Sequence, residues 1–436
     1  MPLPTLIEIV PLTQPVRADI TVPGSKSITN RALVLAALAS GETTLQGALW
    51  SEDTQVMVEC LQELGFMVNV EQDANESCNR TITVYGLGGQ VPRGGTVEQP
   101  MELFVGNAGT AARFLAAMVC LGEGVYRLHG VPRMHERPQA ALFQSLRDLG
   151  YRIDATGDKL PALIHGAGPR AGARCTVSID ASSQFASALL LSAGVGGWTI
   201  EVKGENADES PYVVMTSELV KVFPHRGGKF QIEPDASSGS YFWGAGVALA
   251  TPGQIESRLD LPVVVSNWPD LDWQIDAAFP MSMPIHQVQS PSTVSRIKHL
   301  GDSIMTAVVL APFIEHKTSF TELGRLRVQE CERVVALRTE LTKCGAKVIE
   351  TGDTLEVFPS QLHCAEIETY NDHRMAMCFA ILGLKVPGIK IKNPACVKKT
   401  FPNFFQKLAA APPHGLGATI LDASGRKLTH EELFAD

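Results

Sequence analysis

Nine cations and two acids stand in or beside short segments built from Gly, Ser, Asn and Asp: Lys26, Arg31, Arg113, Arg133, Arg137, Arg327, Arg333, Arg374 and Lys399, with Asp302 and Glu330. Arginine offers a planar fork of donors that matches carboxylate and phosphate oxygens. Taken singly, each cation reads as half of a surface ion pair. Several in equivalent places just before apolar runs point instead to the gathering of anions. Asp302, at a helix start, reads first as an N-cap. Glu330, between Arg327 and Arg333, reads as part of a salt-bridged helix face. His373 beside Arg374 reads as a structural residue.

The segments that must position these groups repeat six times. They are GSKSITNRALVLAALA from Gly24, GNAGTAARFLAAMV from Gly106, DASSQFASALLLSA from Asp180, DASSGSYFWGAGVAL from Asp235, GDSIMTAVVLA from Gly301 and NDHRMAMCFAILG from Asn371. Each places helix-starting residues ahead of a run that is apolar on nearly every side, which predicts six buried helices. Buried helix starts need partners for their free N–H groups, and those groups with the helix dipole favour anions. Around the first copy, an amphipathic helix is expected from Glu52 to Leu64, followed by the strands MVNVEQ and RTITVYG. The second and fifth copies show the same order. The expected fold class is therefore α/β (α+β), with units of strand, buried helix, strand, amphipathic helix, strand, strand. Six units divide into two lobes of three: residues 24–234, and residues 1–23 with 235–436. The Pro- and Trp-rich stretch from Leu261 to Thr293 is expected to be an irregular loop, and residues 412–436 an appended tail.

The chain has 436 residues, which suits two or three domains. Its net charge of -9 argues against a nucleic-acid surface, yet leaves room for a locally cationic cleft. Nine cysteines without a C-x-x-C pair point to thiols in a reducing compartment. No uncharged apolar stretch approaches the roughly 20 residues that span a bilayer. A monomer of the cytoplasm, without membrane or nucleic-acid partners, is expected.

The series GSKSITNRA, LFVGNAGTAARFLAA, PRMHERP, DASSQF, PDASSGSYF, GDSIMT, RVQECER, YNDHRMAM and KKTFPNF resembles, in order and over nearly the whole chain, the signature series of the 5-enolpyruvylshikimate-3-phosphate synthase family. The resemblance implies two lobes of threefold-repeated units, an inside-out α/β barrel arrangement, with an active site in the cleft between lobes; since open access and a dry reacting site are incompatible in one rigid shape, the lobes are expected to close on ligand. It implies transfer of the enolpyruvyl group of phosphoenolpyruvate to the 5-hydroxyl of shikimate 3-phosphate by addition and elimination, with phosphate released. Neither metal nor organic cofactor is implied.

Carried over position by position, the resemblance implies that Lys26, Asn107, Gly109, Arg133, Gln184 and Lys399 neighbour the donor phosphate. Arg333 and Arg374 clamp the donor carboxylate. Ser27 and Arg31 grip the acceptor carboxylate, and Ser182, Ser183 and Tyr212 hold shikimate 3-phosphate. Asp302 faces the 5-hydroxyl, Glu330 serves the vinyl carbon, and Lys26 and His373 complete the catalytic group.

Three positions depart from the family pattern. Gln329 stands where the family usually has Lys, Glu209 where it has Ser, and Arg325 where it has Asn. All three belong to the pocket for the acceptor's 3-phosphate, where loss of a charge-assisted bond costs about 1.5–3 kcal/mol. Arg325 is expected to supply the missing cation and Ser210 the hydroxyl; the rival is an acceptor other than shikimate 3-phosphate. Phe114 follows Arg113 where many members have Pro, and reads either as core packing or as an influence on glyphosate sensitivity. Two further readings are the related transferase that acts on a UDP-sugar, against which PRMHERP lacks a Cys, and a non-catalytic anion binder.

Overall fold

The computed structural model describes residues 3–204, 210–250, 260–269, 272–283 and 292–435. The chain divides into two compact lobes. The N-terminal lobe is Gly24–Glu233, and the C-terminal lobe joins Met1–Pro23 to Pro234–Asp436. In chain order, strands β1 (Leu6–Ile9) and β2 (Ala18–Ile20) belong to the C-terminal lobe. The N-terminal lobe then runs α1 (Lys26–Leu38), β3 (Ser40–Leu49), α2 (Glu52–Glu63), β4 (Met67–Gln72), β5 (Asn79–Leu87), β6 (Met101–Phe104), α3 (Gly109–Met118), β7 (Glu123–His129), α4 (Pro132–Glu136), α5 (Ala140–Asp148), β8 (Arg152–Ala155), β9 (Ala162–Ala167), β10 (Arg174–Ser178), α6 (Ser183–Gly196), β11 (Thr199–Lys203), α7 (Ser210–Val222) and β12 (Gly228–Gln231). The C-terminal lobe resumes with α8 (Ala236–Leu249), β13 (Val263–Val265), α9 (Phe279–Ser282), β14 (Ser292–Ser295), α10 (Ile304–Leu310), β15 (Thr318–Thr321), α11 (Arg333–Lys343), β16 (Val348–Thr351), β17 (Thr354–Val357), β18 (Ala365–Ile367), α12 (His373–Gly383), β19 (Ile389–Lys392), α13 (Phe404–Ala409) and β20 (Ile420–Asp422).

The six apolar runs form α1, α3 and α6 in one lobe and α8, α10 and α12 in the other. Within each lobe the three helices pack on one another. Their composition explains the burial: every residue of α1 from Ile28 to Leu38, and every residue of α3 and α10, is buried. Small side chains such as Ala and Gly let such helices approach closely. The amphipathic helices lie outside this core. On α2, Asp53, Thr54, Met57, Val58, Cys60 and Leu61 face inward, and the Ser51 N–H is capped by the Thr54 hydroxyl at 2.9 Å.

One strand order recurs. β6-β7-β9-β8 and β14-β15-β17-β16 each have a parallel first pair followed by an antiparallel hairpin, as a strand–helix–strand–helix–hairpin unit dictates. β12-β3-β5-β4 has the same order, with its first strand supplied from the lobe's end. In each lobe one further unit shows, among the described residues, only a parallel pair: β10-β11 beside α6 and β13-β2 beside α8.

Two expectations are corrected. Residues 412–436 are not an appended tail: β20 pairs with β1, and Leu416, Ile420, Leu428 and Leu433 are buried in the lobe's core. The Leu261–Thr293 stretch is not wholly irregular: its described part supplies β13, α9 and a short helical turn at Ile275–Ala278. Deleting 412–436 removes four large apolar side chains at about 1.5 kcal/mol or more each. That is comparable to the whole stability of a typical domain, about 5–15 kcal/mol. The expected outcome is loss of the cooperative unfolding transition of the C-terminal lobe, checked by calorimetry against the full chain.

Candidate active site

In the C-terminal lobe the starts of α10, α11 and α12 bring five charged groups into one cluster centred on Arg333. Its guanidinium, 1% exposed, donates from Nε to Asp372 Oδ2 at 2.7 Å, and from Nη2 to Glu330 Oε2 at 2.8 Å. Nη1 donates to the Gln329 side-chain carbonyl and lies 3.7 Å from Asp302 Oδ2. Asp302 also meets Arg374 Nη2 at 3.2 Å and Arg296 Nη2 at 3.2 Å. Glu330 takes a second cation, Lys399 Nζ, at 3.0 Å. Asp372 caps α12 by accepting from the Arg374 N–H at 2.8 Å. Burial alone would raise the Asp302 carboxyl, but Arg374, Arg333 and Arg296 outweigh it and hold the group well below the ordinary range. Arg374 is held protonated well above its usual range: burial opposes the charge, and Asp302 leads the groups that overcome it.

His373 is 2% exposed, with Nδ1 3.9 Å from Asp372 Oδ1. Arg325 is half-buried on the short helical turn Gly324–Val328. Gln329 does not stand free for a ligand: its carbonyl accepts from Arg333 and its amide lies 3.4 Å from Asp302 Oδ1. Arg327 is drawn away from the cluster by Glu332, Glu350 and Asp353.

In the N-terminal lobe a second cationic group surrounds the start of α3. A Cβ on Gly109 would lie 2.4 Å from Arg113 Nη1 and 2.6 Å from Arg137 Nη2, so glycine is what lets these two guanidiniums come so close to the backbone. Arg113 donates to Gln184 Oε1 at 3.1 Å, and Arg137 donates to the Asn107 carbonyl at 3.2 Å. The Gln184 amide reaches Thr110 Oγ1 at 3.3 Å, and its backbone N–H is capped by Ser182 Oγ at 3.3 Å. Ser183 is buried beside Ser182. Lys26, at the start of α1, pairs with Asp53 Oδ2 at 3.0 Å, and Ser27 follows it in the first turn. Arg31 is buried. It donates to Thr216 Oγ1, Ser187 Oγ and the Ser27 carbonyl, and its guanidinium lies 5.2 Å from the Phe114 ring centroid. Tyr212 is half-buried on α7, its carbonyl accepting from Thr216. Phe114 is thus a core residue.

Arg133 is not part of this group. Its side chain is 58% exposed and pairs with Glu136, whereas Arg137, four residues on, holds the position beside Gly109. Arginines one helical turn apart are hard to rank from sequence, because only the backbone path decides which points inward. Asp53, Arg296 and Asp372 also belong to the clusters without having been singled out; an acid in the first turn of α2 and the Asp of the NDHR segment were the available signals. Glu209 lies outside the described residues, as does the side chain of Ser210.

A family model for EPSP synthase (3-phosphoshikimate 1-carboxyvinyltransferase) matches residues 10–225 and 224–408. The 3-phosphoshikimate 1-carboxyvinyltransferase of Trichormus variabilis is 37% identical over 432 residues, covering 92% of this chain and 98% of that protein. The corresponding protein of Opitutus terrae is 38% identical over 442 residues, 94% and 98% of the two chains. The solved EPSP synthase from Acinetobacter baumannii superposes with a TM-score of 0.70 at 20% identity, over 93% of this chain and 97% of that one, a likeness of fold. The fold is thus a two-lobed mixed α/β fold of the enolpyruvyl-transferase kind, and the chain belongs to the EPSP synthase family.

Asp302→Asn tests the electrostatics directly. Removing one partner of a buried charge group costs about 3 kcal/mol. A depressed carboxyl contributes stability that is complete above its ordinary value of 3.8 and is lost as the pH falls toward the lowered one. The gap between parent and variant in urea unfolding is therefore expected to be constant from pH 7 to 5 and to shrink below pH 4.

Proposed function

We propose that this protein transfers the enolpyruvyl group of phosphoenolpyruvate to the 5-hydroxyl of shikimate 3-phosphate, giving 5-enolpyruvylshikimate 3-phosphate and phosphate, a step in aromatic amino-acid biosynthesis. The observation that carries this reading is the match of both halves of the chain to one family model, joined to 37% identity over nearly the full length of a relative bearing that name.

The clusters suit the roles the family pattern implies. Two phosphates and two carboxylates repel one another, and converging guanidiniums in poorly hydrated surroundings offset that repulsion. We read Arg333 and Arg374 as the clamp on the donor carboxylate, with Lys399 near the donor phosphate. In the N-terminal lobe, Lys26, Asn107, Gly109 and Gln184 serve the donor phosphate, and the geometry favours Arg137 over Arg133 beside them. Ser27, Arg31, Ser182, Ser183 and Tyr212 serve the acceptor. Asp302, held ionised by three arginines, is the acceptor for the hydroxyl proton. Glu330, between Arg333 and Lys399, delivers a proton to the vinyl carbon, with Lys26 and His373 completing the group. Residues 24–234, and 1–23 with 235–436, are read as the two functional lobes. Among the described residues no helix is long and apolar enough to cross a membrane. All nine cysteines are free thiols, which supports a reducing compartment such as the cytoplasm. We expect a monomer.

A second reading, an enolpyruvyl transferase for a different acceptor, is favoured by one observation. Gln329 replaces a cation of the phosphate pocket, and its amide group is engaged by Arg333 and Asp302. Phosphate release requiring both phosphoenolpyruvate and shikimate 3-phosphate is the expected result. Shikimate itself is expected to be turned over far more slowly, and equal turnover of the two acceptors defeats the first reading in favour of the second. Glu330→Ala is expected to lower kcat by about 10²–10⁴-fold; a variant releasing phosphate at the parent's rate removes Glu330 from the acid–base role.

A further inference from the structure

The Ile275–Ala278 turn lies in the stretch of sequence that matches none of the repeats, yet it delivers a carboxylate into the heart of the C-terminal lobe. Asp276 is 4% exposed. Its Oδ1 accepts from the Gly301 N–H at 2.8 Å, the Ser303 N–H at 3.0 Å and the Ser303 hydroxyl at 2.5 Å. Its Oδ2 accepts from the Ser237 hydroxyl at 2.5 Å. The two backbone donors flank Asp302 on either side. The residue before α10, Ser303, makes no side-chain cap bond to the helix; its N–H and its hydroxyl go instead to this carboxylate from another part of the chain. The approach is close: a Cβ on Gly301 would lie 3.1 Å from both Asp276 oxygens and 2.9 Å from Ile275 Cγ2. The neighbouring Gln274 ties the same turn to α8, accepting from the Ala236 N–H at 3.0 Å and donating to the Pro234 carbonyl at 2.9 Å. One short turn thus locks the start of α8 to the start of α10.

We propose that Asp276 is a positioning residue for the enolpyruvyl transfer, clamping the Gly301–Ser303 backbone so that the Asp302 carboxylate points at Arg374 and Arg296. This rests on the transferase reading, and gives Asp302 its place in that reading. The contacts from Asp302 to Arg374 and Arg296 are each 3.2 Å. A shift of the turn by about 1 Å breaks both, and displacement of a reacting group on that scale costs on the order of 10²-fold in rate. The clamp consists of charge-assisted bonds to the peptide N–H groups of Gly301 and Ser303, one on each side of Asp302, the strong kind of hydrogen bond. Asn at this position keeps one acceptor oxygen for the turn and loses the charge; Ala loses both.

Two measurements on the full-length protein decide the matter. In steady-state assays with phosphoenolpyruvate and shikimate 3-phosphate, Asp276→Ala is expected to lower kcat about 100-fold while both KM values stay within about threefold of the parent's, and Asp276→Asn is expected to recover about tenfold. A kcat for Asp276→Ala within threefold of the parent's, or KM rising in step as kcat falls, overturns the proposal. The second measurement needs no activity: a double-mutant cycle of Asp276→Asn with Asp302→Asn in urea unfolding. The joint change in the unfolding constant is expected to fall short of the product of the single changes by about fivefold or more; additive effects overturn the proposal. A parent that releases no phosphate together with a non-additive cycle overturns the transferase reading, and with it the role in that transfer, while the coupling of Asp276 to Asp302 stands. Should Asp276→Ala fail to fold, the Asp276→Asn kinetics and the cycle still decide it.

Discussion

A single buried guanidinium organises the chemistry of the C-terminal lobe. Arg333, almost wholly out of water, is tolerable there only because Asp372, Glu330 and Asp302 surround it. Each of those carboxylates has a further engagement. Asp372 caps α12, Glu330 reaches Lys399, and Asp302 spans Arg374 and Arg296. Positive and negative groups are thereby held at contact distance without a solvent cushion, and the cations keep their charge. Anionic ligands require such surroundings, since donors already fixed in place need no rearrangement when new charge arrives.

The N-terminal lobe reaches a similar end by different means. Around the start of α3, neutral oxygens take part in holding its guanidiniums: Arg113 donates to the Gln184 and Pro138 carbonyls, and Arg137 to the Asn107 backbone carbonyl. The absence of a side chain at Gly109 lets both approach the start of α3. Lys26 is the contrast, paired with Asp53 at the head of α2.

Much of this was legible in the residues because it rests on local rules. Six segments with helix-starting residues ahead of all-apolar runs became six buried helices, since a helix apolar on every side has nowhere else to go. Asp302, Glu330, Arg333 and Arg374 stand beside such segments, and the cluster forms there. Less legible was anything that depends on where the chain travels between repeats. Arg133 and Arg137 look alike in sequence, and only the turn after α4 separates the exposed one from the inward one. The final 25 residues lack the repeat pattern, yet their strand completes a sheet with β1 from the opposite end of the chain. Gln329 read as a lost phosphate ligand, but in the fold it links Arg333 to Asp302.

The sequence by itself determined the number of repeated units, the residues at their helix starts, and the family to which the ordered motifs belong, because these follow from local hydrophobic pattern and side-chain chemistry. The tertiary structure alone decided which charges share a partner. Asp276 meets Gly301 and Ser303 across 25 residues or more, and Arg333 meets Asp372 across 39. Pairings over such distances have no local signature: each is set by how a segment outside the three buried helices, the Ile275–Ala278 turn or α11, packs against their polar starts.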